Sequence, residues 1–200
     1  MDKLILATHN RHKLEEVRAI LAPLRIRVLG ASDVGLKDVE ETGDSFQENA
    51  LLKARAAYKQ VKIPVLADDS GLCIAALDGR PGIYSARFAT EHGGYPAVFD
   101  EVWKQMGDNP DRTAWFTCCM ALVTGDGADN YHLFTGKMMG KIDDHASGTH
   151  LFGYDPIFIP DGYAQTCGVL DSAVKNKISH RAKALAALAA YLNNLDSMSS

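Results

Sequence analysis

The spacing of hydrophobic residues changes along the chain and predicts which segments are strands and which are helices. Residues 3–8 form a short apolar run that is typical of a buried strand. Leu14, Val17, Ile20 and Leu21 follow at intervals of three, three and one, which places them on one face of a helix. The N-terminal segment is therefore predicted to be a strand, a polar turn and an amphipathic helix.

Strands and helices alternate in the rest of the predicted order. A long helix is expected over Phe46–Val61, because Ser45 and Glu48 have the spacing of a capping box. Gly79 and Pro81 mark a turn. The other predicted elements are strands at 25–29, 64–67, 114–124, 131–138 and 157–159, helices at 96–106 and 182–195, and an acidic turn at 68–71. This alternation predicts an α/β fold with a mixed sheet.

The composition narrows the class of protein. The chain has 200 residues, of which 46% are hydrophobic and 23% charged. This is enough for one core, so residues 1–200 are expected to form a single domain, with the last five residues frayed. The net charge of −4 argues against a general nucleic-acid surface. No apolar stretch approaches the roughly 20 residues of a membrane span, so we expect a cytoplasmic protein that binds neither nucleic acid nor membrane.

The four cysteines indicate neither a zinc site nor a disulfide framework, because none forms a C-x-x-C pair. Cys73 and Cys167 stand alone in the sequence. Cys118 and Cys119 are adjacent, and on a strand their side chains would point to opposite faces.

The polar turn between the first predicted strand and the first predicted helix is a candidate phosphate site. Free backbone N–H groups and the positive end of the helix dipole would face a ligand there. Thr8, Asn10 and Lys13 add a hydroxyl, an amide and an ammonium group. An ordinary strand–helix turn with a solvated lysine would have the same pattern. His9 and His12 resemble a metal-binding pair by spacing, but no carboxylate partner lies nearby in sequence.

Two acidic segments are candidates for a metal site: Glu40 and Glu41 before a glycine, and Asp68 and Asp69 after an apolar strand. Neighbouring side chains on an extended backbone point to opposite faces, so one of the two aspartates is expected to face the site and the other to be structural. Mg²⁺ prefers such oxygen ligands and shares phosphate oxygens with its substrate. Acidic turns are usually only solvated, but beside a phosphate turn they indicate a metal–nucleotide site.

Two late segments contain groups suited to a nucleotide base. Phe152–Asp155 has the sequence F-G-Y-D, and His180 and Arg181 end the segment at 175–181. A planar ring, a carboxylate and a guanidinium fork can read a heterocycle by stacking and hydrogen bonding. Taken alone, these residues are more simply interpreted as a packed turn and a core histidine.

Six short motifs together carry a resemblance that spans nearly the whole chain. They are ATHNRHK at 7–13, EETGDSFQENALLKA at 40–54, ADDSGL at 67–72, PGIYSAR at 81–87, FGYDPIF at 152–158 and KNKISHR at 175–181. In order and spacing, they resemble the inosine/xanthosine triphosphate pyrophosphatases, also called non-canonical purine nucleoside triphosphate pyrophosphatases. The resemblance implies a Mg²⁺-dependent hydrolase that cleaves between the α and β phosphates of ITP, dITP or XTP and removes these non-canonical purines from the nucleotide pool. It also implies a homodimer and a long, mixed, curved sheet between two lobes around a nucleotide-binding cleft.

The resemblance also implies roles for individual residues. Glu41 and Asp69 would bind Mg²⁺, and Asp69 would orient or deprotonate the attacking water. Lys53 and Arg87 would assist near the phosphates. The residues implied to contact the substrate are Thr8, His9, Asn10, Arg11, His12 and Lys13 at the triphosphate, Ser70, and Phe152, Gly153, Tyr154, Asp155, Lys175, His180 and Arg181 at the base and sugar.

The chain departs from that family's pattern in three places. His150 and Leu151 replace two glycines before F-G-Y-D, Ala173 and Val174 replace an acidic pair, and residues 91–112 do not follow the usual asparagine-containing helix. These differences concern the base loop and the breadth of substrates. The catalytic set is unaffected.

Two other functions fit parts of the sequence. One is a Maf-like hydrolase of modified pyrimidine or methylated nucleotides, which would lack the F-G-Y-D and S-H-R pair. The other is a nucleotide sensor without turnover, which would not need both Glu41 and Asp69. Pyrophosphate release from ITP with Mg²⁺ distinguishes all three.

Overall fold

A computed structural model of the chain describes residues 1–149 and 152–198, over which strands and helices alternate. The strands are β1 (Lys3–Leu6), β2 (Arg27–Gly30), β3 (Val65–Ile74), β4 (Thr113–Val123), β5 (Tyr131–Ile142) and β6 (Phe158–Pro160). The helices are α1 (Arg11–Leu21), α2 (Phe46–Val61), α3 (Ser85–Glu91), α4 (Ala97–Met106), α5 (Ser172–Ile178) and α6 (His180–Met198). The departures at His150 and Leu151 lie outside the described residues.

The strands form a sheet in the order β2-β1-β3-β4-β5-β6. Strand β1 runs parallel to β2, with Lys3 opposite Arg27, and parallel to β3, with Ile5 opposite Val65. Strands β5 and β6 are antiparallel. The predicted α/β fold with a mixed sheet is therefore confirmed.

The chain divides into two compact units. The first comprises Met1–Asp69, Cys118–Gly136 and Arg181–Ser200, and the second comprises Ser70–Thr117 and Lys137–His180. The division falls inside strands β3, β4 and β5, so each of these strands contributes residues to both units.

The first unit contains two hydrophobic clusters, and alternate residues of its strands enter different clusters. Leu4 and Leu6 belong to one cluster and Ile5 to the other, as the two-residue period of a strand requires. Cys118 and Cys119 divide in the same way. Their prediction on opposite faces of a strand is confirmed, and the four cysteines are free and buried.

The second unit has a hydrophobic cluster in which helix α4 buries one face. Val98, Phe99, Val102 and Met106 recur at helical spacing and pack in this cluster with Phe158 of β6. Among the described residues, none of the helices has both the length and the apolar character needed to cross a membrane.

Helix α2 begins and ends where the sequence predicted. The Ser45 hydroxyl accepts a hydrogen bond from the Glu48 backbone N–H at 3.1 Å, which satisfies a free donor at the helix start. The Glu48 carboxylate accepts from the Asp44 N–H at 2.7 Å, so the return bond of the capping box lies one residue before the cap.

Some segments differ from their predicted structure. The acidic turn predicted at 68–71 is wrong, because β3 continues through these residues to Ile74. Helices α3 and α5 were not predicted, since each has only seven residues and lacks a long apolar repeat. The three residues at 196–198, expected to be frayed, belong to α6, and the final two lie outside the described residues.

Candidate active site

The turn before helix α1 is held together by its own side chains. The Asn10 amide oxygen caps the helix by accepting from the Lys13 N–H at 3.3 Å. The Thr8 hydroxyl accepts from the Asn10 N–H at 3.2 Å. These bonds leave Arg11 and His12 exposed at the first turn of the helix, where an anion is stabilised by the helix dipole.

His9 joins this turn to the following loop. Its Nδ1 atom lies 3.2 Å from the Ser32 hydroxyl, and its Nε2 atom lies 3.3 Å from the Asp38 carboxylate. The structure therefore gives His9 protein partners, whereas the resemblance implied only a contact with phosphate.

A pocket of about 210 Å³ lies beside the turn within the first unit. Its polar lining includes Thr8, His9, Lys37, Glu41 and Lys53. Four of the expected phosphate-side and metal-side residues thus meet in one cavity, namely Thr8, His9, Glu41 and Lys53. Lys37 was not singled out by the sequence analysis, because an isolated loop lysine carries no signal.

The carboxylates of Asp68 and Asp69 have different partners, as expected from their adjacent places in β3. The Lys13 ammonium donates to Asp68 at 2.8 Å, and Arg181 Nε lies 3.9 Å from the same oxygen. Arg181 also donates to Glu16 at 2.8 Å. Burial would raise the pKa of Asp68, but Lys13 and Arg181 hold it well below its usual range. Asp68 is the structural member of the pair.

Asp69 lies in a different electrostatic environment. Its Oδ2 atom accepts a hydrogen bond from Asn49 at 3.1 Å. Burial raises the pKa of Asp69 to about 6, and the nearby Glu41 carboxylate adds to this, while Lys53 opposes it. A carboxylate whose pKa lies this close to neutrality is suited to accept a proton.

Asn49 connects the two acidic segments. Besides donating to Asp69, it accepts from the Gly43 N–H at 2.8 Å through Oδ1, and its side chain is 2% exposed. A Cβ atom at Gly43 would lie 2.9 Å from that oxygen, which explains the glycine there. The sequence analysis missed Asn49, although an amide among the buried alanines Ala50 and Ala54 of α2 is a detectable signal.

Lys53 forms an ion pair with Glu41. Burial lowers the pKa of Lys53, but Asp68 and Glu41 raise it above its ordinary value, so the ammonium stays charged. The pair brings Glu41 and Lys53 together with Asp69, as the resemblance implied.

In the second unit, the structure brings together three residues expected at the base. Lys175 of α5 forms an ion pair with Asp155, which is 3% exposed. The Lys175 ammonium also lies 5.1 Å from the centre of the Phe152 ring, which is partly exposed. A ring, a carboxylate and an ammonium group therefore converge on one small area.

The middle of this segment is anchored to the unit's interior. Gly153 has a φ of +61°, which favours glycine. Tyr154 is buried, and its hydroxyl donates to the Ser85 carbonyl oxygen at 2.9 Å. His180 is buried and stacks on Phe116 with 4.9 Å between ring centres. Tyr154 and His180 thus have structural contacts in addition to the implied base contacts.

The remaining expected residues are more dispersed. Ser70 lies in β3 and is partly exposed. Arg87 is exposed on α3 with its guanidinium 5.5 Å from the centre of the Tyr84 ring. Arg181 belongs to the first unit, where it pairs with Glu16, whereas Asp155 belongs to the second.

The structure is that of a mixed-sheet α/β protein, in which a polar turn before α1 and the carboxylates of Glu41 and Asp69 belong to the same unit. Across residues 1–149 and 152–198, no group of three or more His, Cys, Asp or Glu side chains is arranged to hold a metal ion. Glu41 and Asp69, whose carboxylates influence each other, are a pair and not such a group.

The chain belongs to the Ham1 family, whose sequence profile matches residues 4–191. It is 43% identical to a dITP/XTP pyrophosphatase of Oceanobacillus iheyensis, over 98% of this chain and 100% of that protein. It is 44% identical to a dITP/XTP pyrophosphatase of Streptomyces coelicolor, over 98% and 99%. A solved structure of a HAM1 protein from Coxiella burnetii matches with a TM-score of 0.88 and 38% identity, over 97% of this chain and 100% of that one.

Proposed function

We propose that this protein is a nucleoside triphosphate pyrophosphatase that hydrolyses ITP, dITP and XTP to the monophosphate and pyrophosphate. The main observation behind the proposal is Asp69, a buried carboxylate that has a pKa of about 6 and lies near Glu41 and Lys53. The polar turn before α1, which we expect to bind phosphate, lies in the same unit. Relatives named dITP/XTP pyrophosphatase, 43% and 44% identical over nearly full length, support the substrate class.

We assign to the first unit the groups that would bind the phosphates and activate the attacking water. The start of α1 and the pocket beside Thr8 would hold the phosphate tail. Asp69 is ionised above a pH of about 6, and its Oδ1 atom would accept a proton from the attacking water while Oδ2 is held by Asn49. Lys53 keeps a positive charge beside the two carboxylates.

The carboxylates fit the divalent cation that we propose as cofactor. Burial raises the pKa of Asp69 and the Glu41 carboxylate raises it further, so a cation held by Glu41 and Asp69 would relieve the repulsion between them. Two carboxylates with phosphate oxygens and water make an ordinary Mg²⁺ set. When bound there, Mg²⁺ supplies charge that stabilises the phosphoryl oxygens.

The second unit contains the groups for the base. A 6-oxo purine presents a donor at N1 and an acceptor at C6, which match the Asp155 carboxylate and the Lys175 ammonium. Adenine reverses both, which leaves buried groups unpaired at a typical cost of ~1–3 kcal/mol each. Phe152 offers its exposed ring for stacking. We expect ITP to be preferred over ATP by roughly 10²–10⁴-fold.

The homodimer and the cytoplasmic location are part of the same proposal. The homodimer rests on the resemblance of the six motifs, and the location rests on the expectation from the sequence. Light scattering after size-exclusion chromatography tests the dimer, because a single 21.7 kDa species would contradict it.

The deciding experiment is phosphorus NMR of the products formed from ITP with Mg²⁺. Inosine monophosphate and pyrophosphate are expected, because we propose that Asp69 activates the water for attack at the α–β linkage. Inosine diphosphate and orthophosphate would contradict the proposed bond. Absence of turnover, with ITP still bound, would instead indicate a nucleotide sensor.

A further inference from the structure

Tyr95 is an exposed aromatic residue next to the segment that we assign to the base. It lies in the loop before α4, within the region 91–112 where the sequence departs from the resembled family. The residue is 42% exposed, which is unusual for a side chain that also makes specific ring contacts.

Its ring contacts are with Phe99 of α4, at 6.0 Å between ring centres, and with Tyr154 of the base-side segment. The Tyr95 ring meets the Tyr154 ring edge to face, with 5.2 Å between ring centres. A Cβ atom built on Gly153 would lie 3.9 Å from the Tyr95 hydroxyl, so a side chain added at this glycine would contact Tyr95. Edge-to-face pairs at this separation are attractive.

Electrostatics agree with this placement. Burial raises the pKa of Tyr95, a hydrogen bond with Tyr154 lowers it, and the negative charge of Asp155 raises it. Burial also raises the pKa of Tyr154, followed by the influence of Tyr95. The two phenols are therefore neighbours of each other and of Asp155.

Tyr95 is linked to strand β3 through its contact with Tyr154 and the hydrogen bonds of Ser85. The Leu72 backbone N–H donates to the Ser85 hydroxyl at 2.9 Å, and the Ser85 carbonyl accepts from Tyr154. Ser85 and Tyr95 thus hold Tyr154 at its hydroxyl and at its ring.

We propose that Tyr95 is a positioning residue for base recognition, because it holds Phe152–Asp155 in the conformation that presents the Phe152 ring and the Asp155 carboxylate to the purine. This rests on the proposed function of the segment. The residue acts through the segment and needs no contact with the phosphates. Its loss should weaken binding of the base and leave binding of the phosphate tail unchanged.

The experiment compares two ligands that report on the two ends of the substrate. Calorimetry measures the Kd of inosine monophosphate and of inorganic pyrophosphate, at one Mg²⁺ concentration, for the parent, Tyr95→Phe and Tyr95→Leu. Tyr163→Phe and Tyr163→Leu are matched controls, since Tyr163 is 38% exposed in the same unit. Kinetics with ITP give KM and kcat for each variant.

For Tyr95→Leu we expect the Kd of the monophosphate and the KM of ITP to rise about two- to tenfold, the range of one aromatic pair, with kcat and the pyrophosphate Kd unchanged. Tyr95→Phe should fall between this variant and the parent, and the Tyr163 variants should match the parent. Equal monophosphate affinity in parent and Tyr95→Leu overturns the inference, as does a parallel loss for both ligands. If Tyr95→Leu does not fold, Tyr95→Phe alone decides. A parent without activity on ITP would contradict the proposed function instead.

Discussion

Asp69→Asn should abolish most turnover and at the same time stabilise the fold. The folded state raises the pKa of Asp69 from its ordinary value of 3.8 to about 6, mainly through burial, so at neutral pH the ionised carboxylate opposes folding. About two pKa units correspond to about 3 kcal/mol, and we take ~1–3 kcal/mol as the expected gain. Asparagine can still accept the hydrogen bond from Asn49.

The sign of the pH dependence follows from the raised pKa. The folded parent binds the Asp69 proton more tightly than the unfolded chain, so the parent loses stability as pH rises from about 4 to about 6 and the penalty is complete above that. The advantage of Asp69→Asn should therefore be full at pH 8 and absent near pH 4. In a chain of this size it corresponds to a rise in Tm of roughly 2–10 °C.

The assay pairs thermal unfolding in the presence of a chelator with pyrophosphate release from ITP. We expect a higher Tm at pH 8 together with a loss of turnover of ~10²–10⁴-fold, the usual value of general-base assistance. Asp68→Asn, on the opposite face of the same strand, is the matched control and should lower Tm. An unchanged or lower Tm for Asp69→Asn at pH 8, or activity within a few-fold of the parent, would refute the reasoning.

Three further predictions concern neighbouring residues. Asp68→Asn should destabilise the fold by ~2–4 kcal/mol in urea unfolding at pH 7, because Lys13 loses its buried ionic partner. The difference in stability from the parent should shrink below about pH 4, since the pKa of Asp68 is lowered in the folded state. Lys53→Met should raise the pKa of Asp69 further, because the cation that lowers it is lost, and should move the acid limb of the kcat/KM profile to higher pH; an unmoved limb would contradict this. Gly71→Ala should cost at least ~2–3 kcal/mol in thermal unfolding, because the new Cβ atom would lie 2.1 Å from the Gly82 carbonyl oxygen; a parent-like Tm would show that the backbone adjusts.

Local sequence was enough to predict elements that depend on neighbouring residues. Helix α2 was predicted with the bounds that it has, because Ser45 and Glu48 have the spacing of a capping box, which depends only on residues close in sequence. Opposite placement of Cys118 and Cys119 followed from the period of a strand. The opposite roles of Asp68 and Asp69 followed from the same period, although the sequence could not say which partners each would have.

Long-range contacts decided what the local pattern could not. The acidic segment that follows the short apolar run at 64–67 was predicted to be a turn, yet it lies in a strand. Asp68 is accommodated there because Lys13, 55 residues earlier, neutralises it. Arg181 is held in the same way by Glu16, which lies 165 residues away in the sequence. No local sequence pattern predicts a contact over that separation. Sequence alone determined the local conformations and the candidate groups; the tertiary structure decided which charges meet, because a buried charge is stable only where the fold brings it a partner.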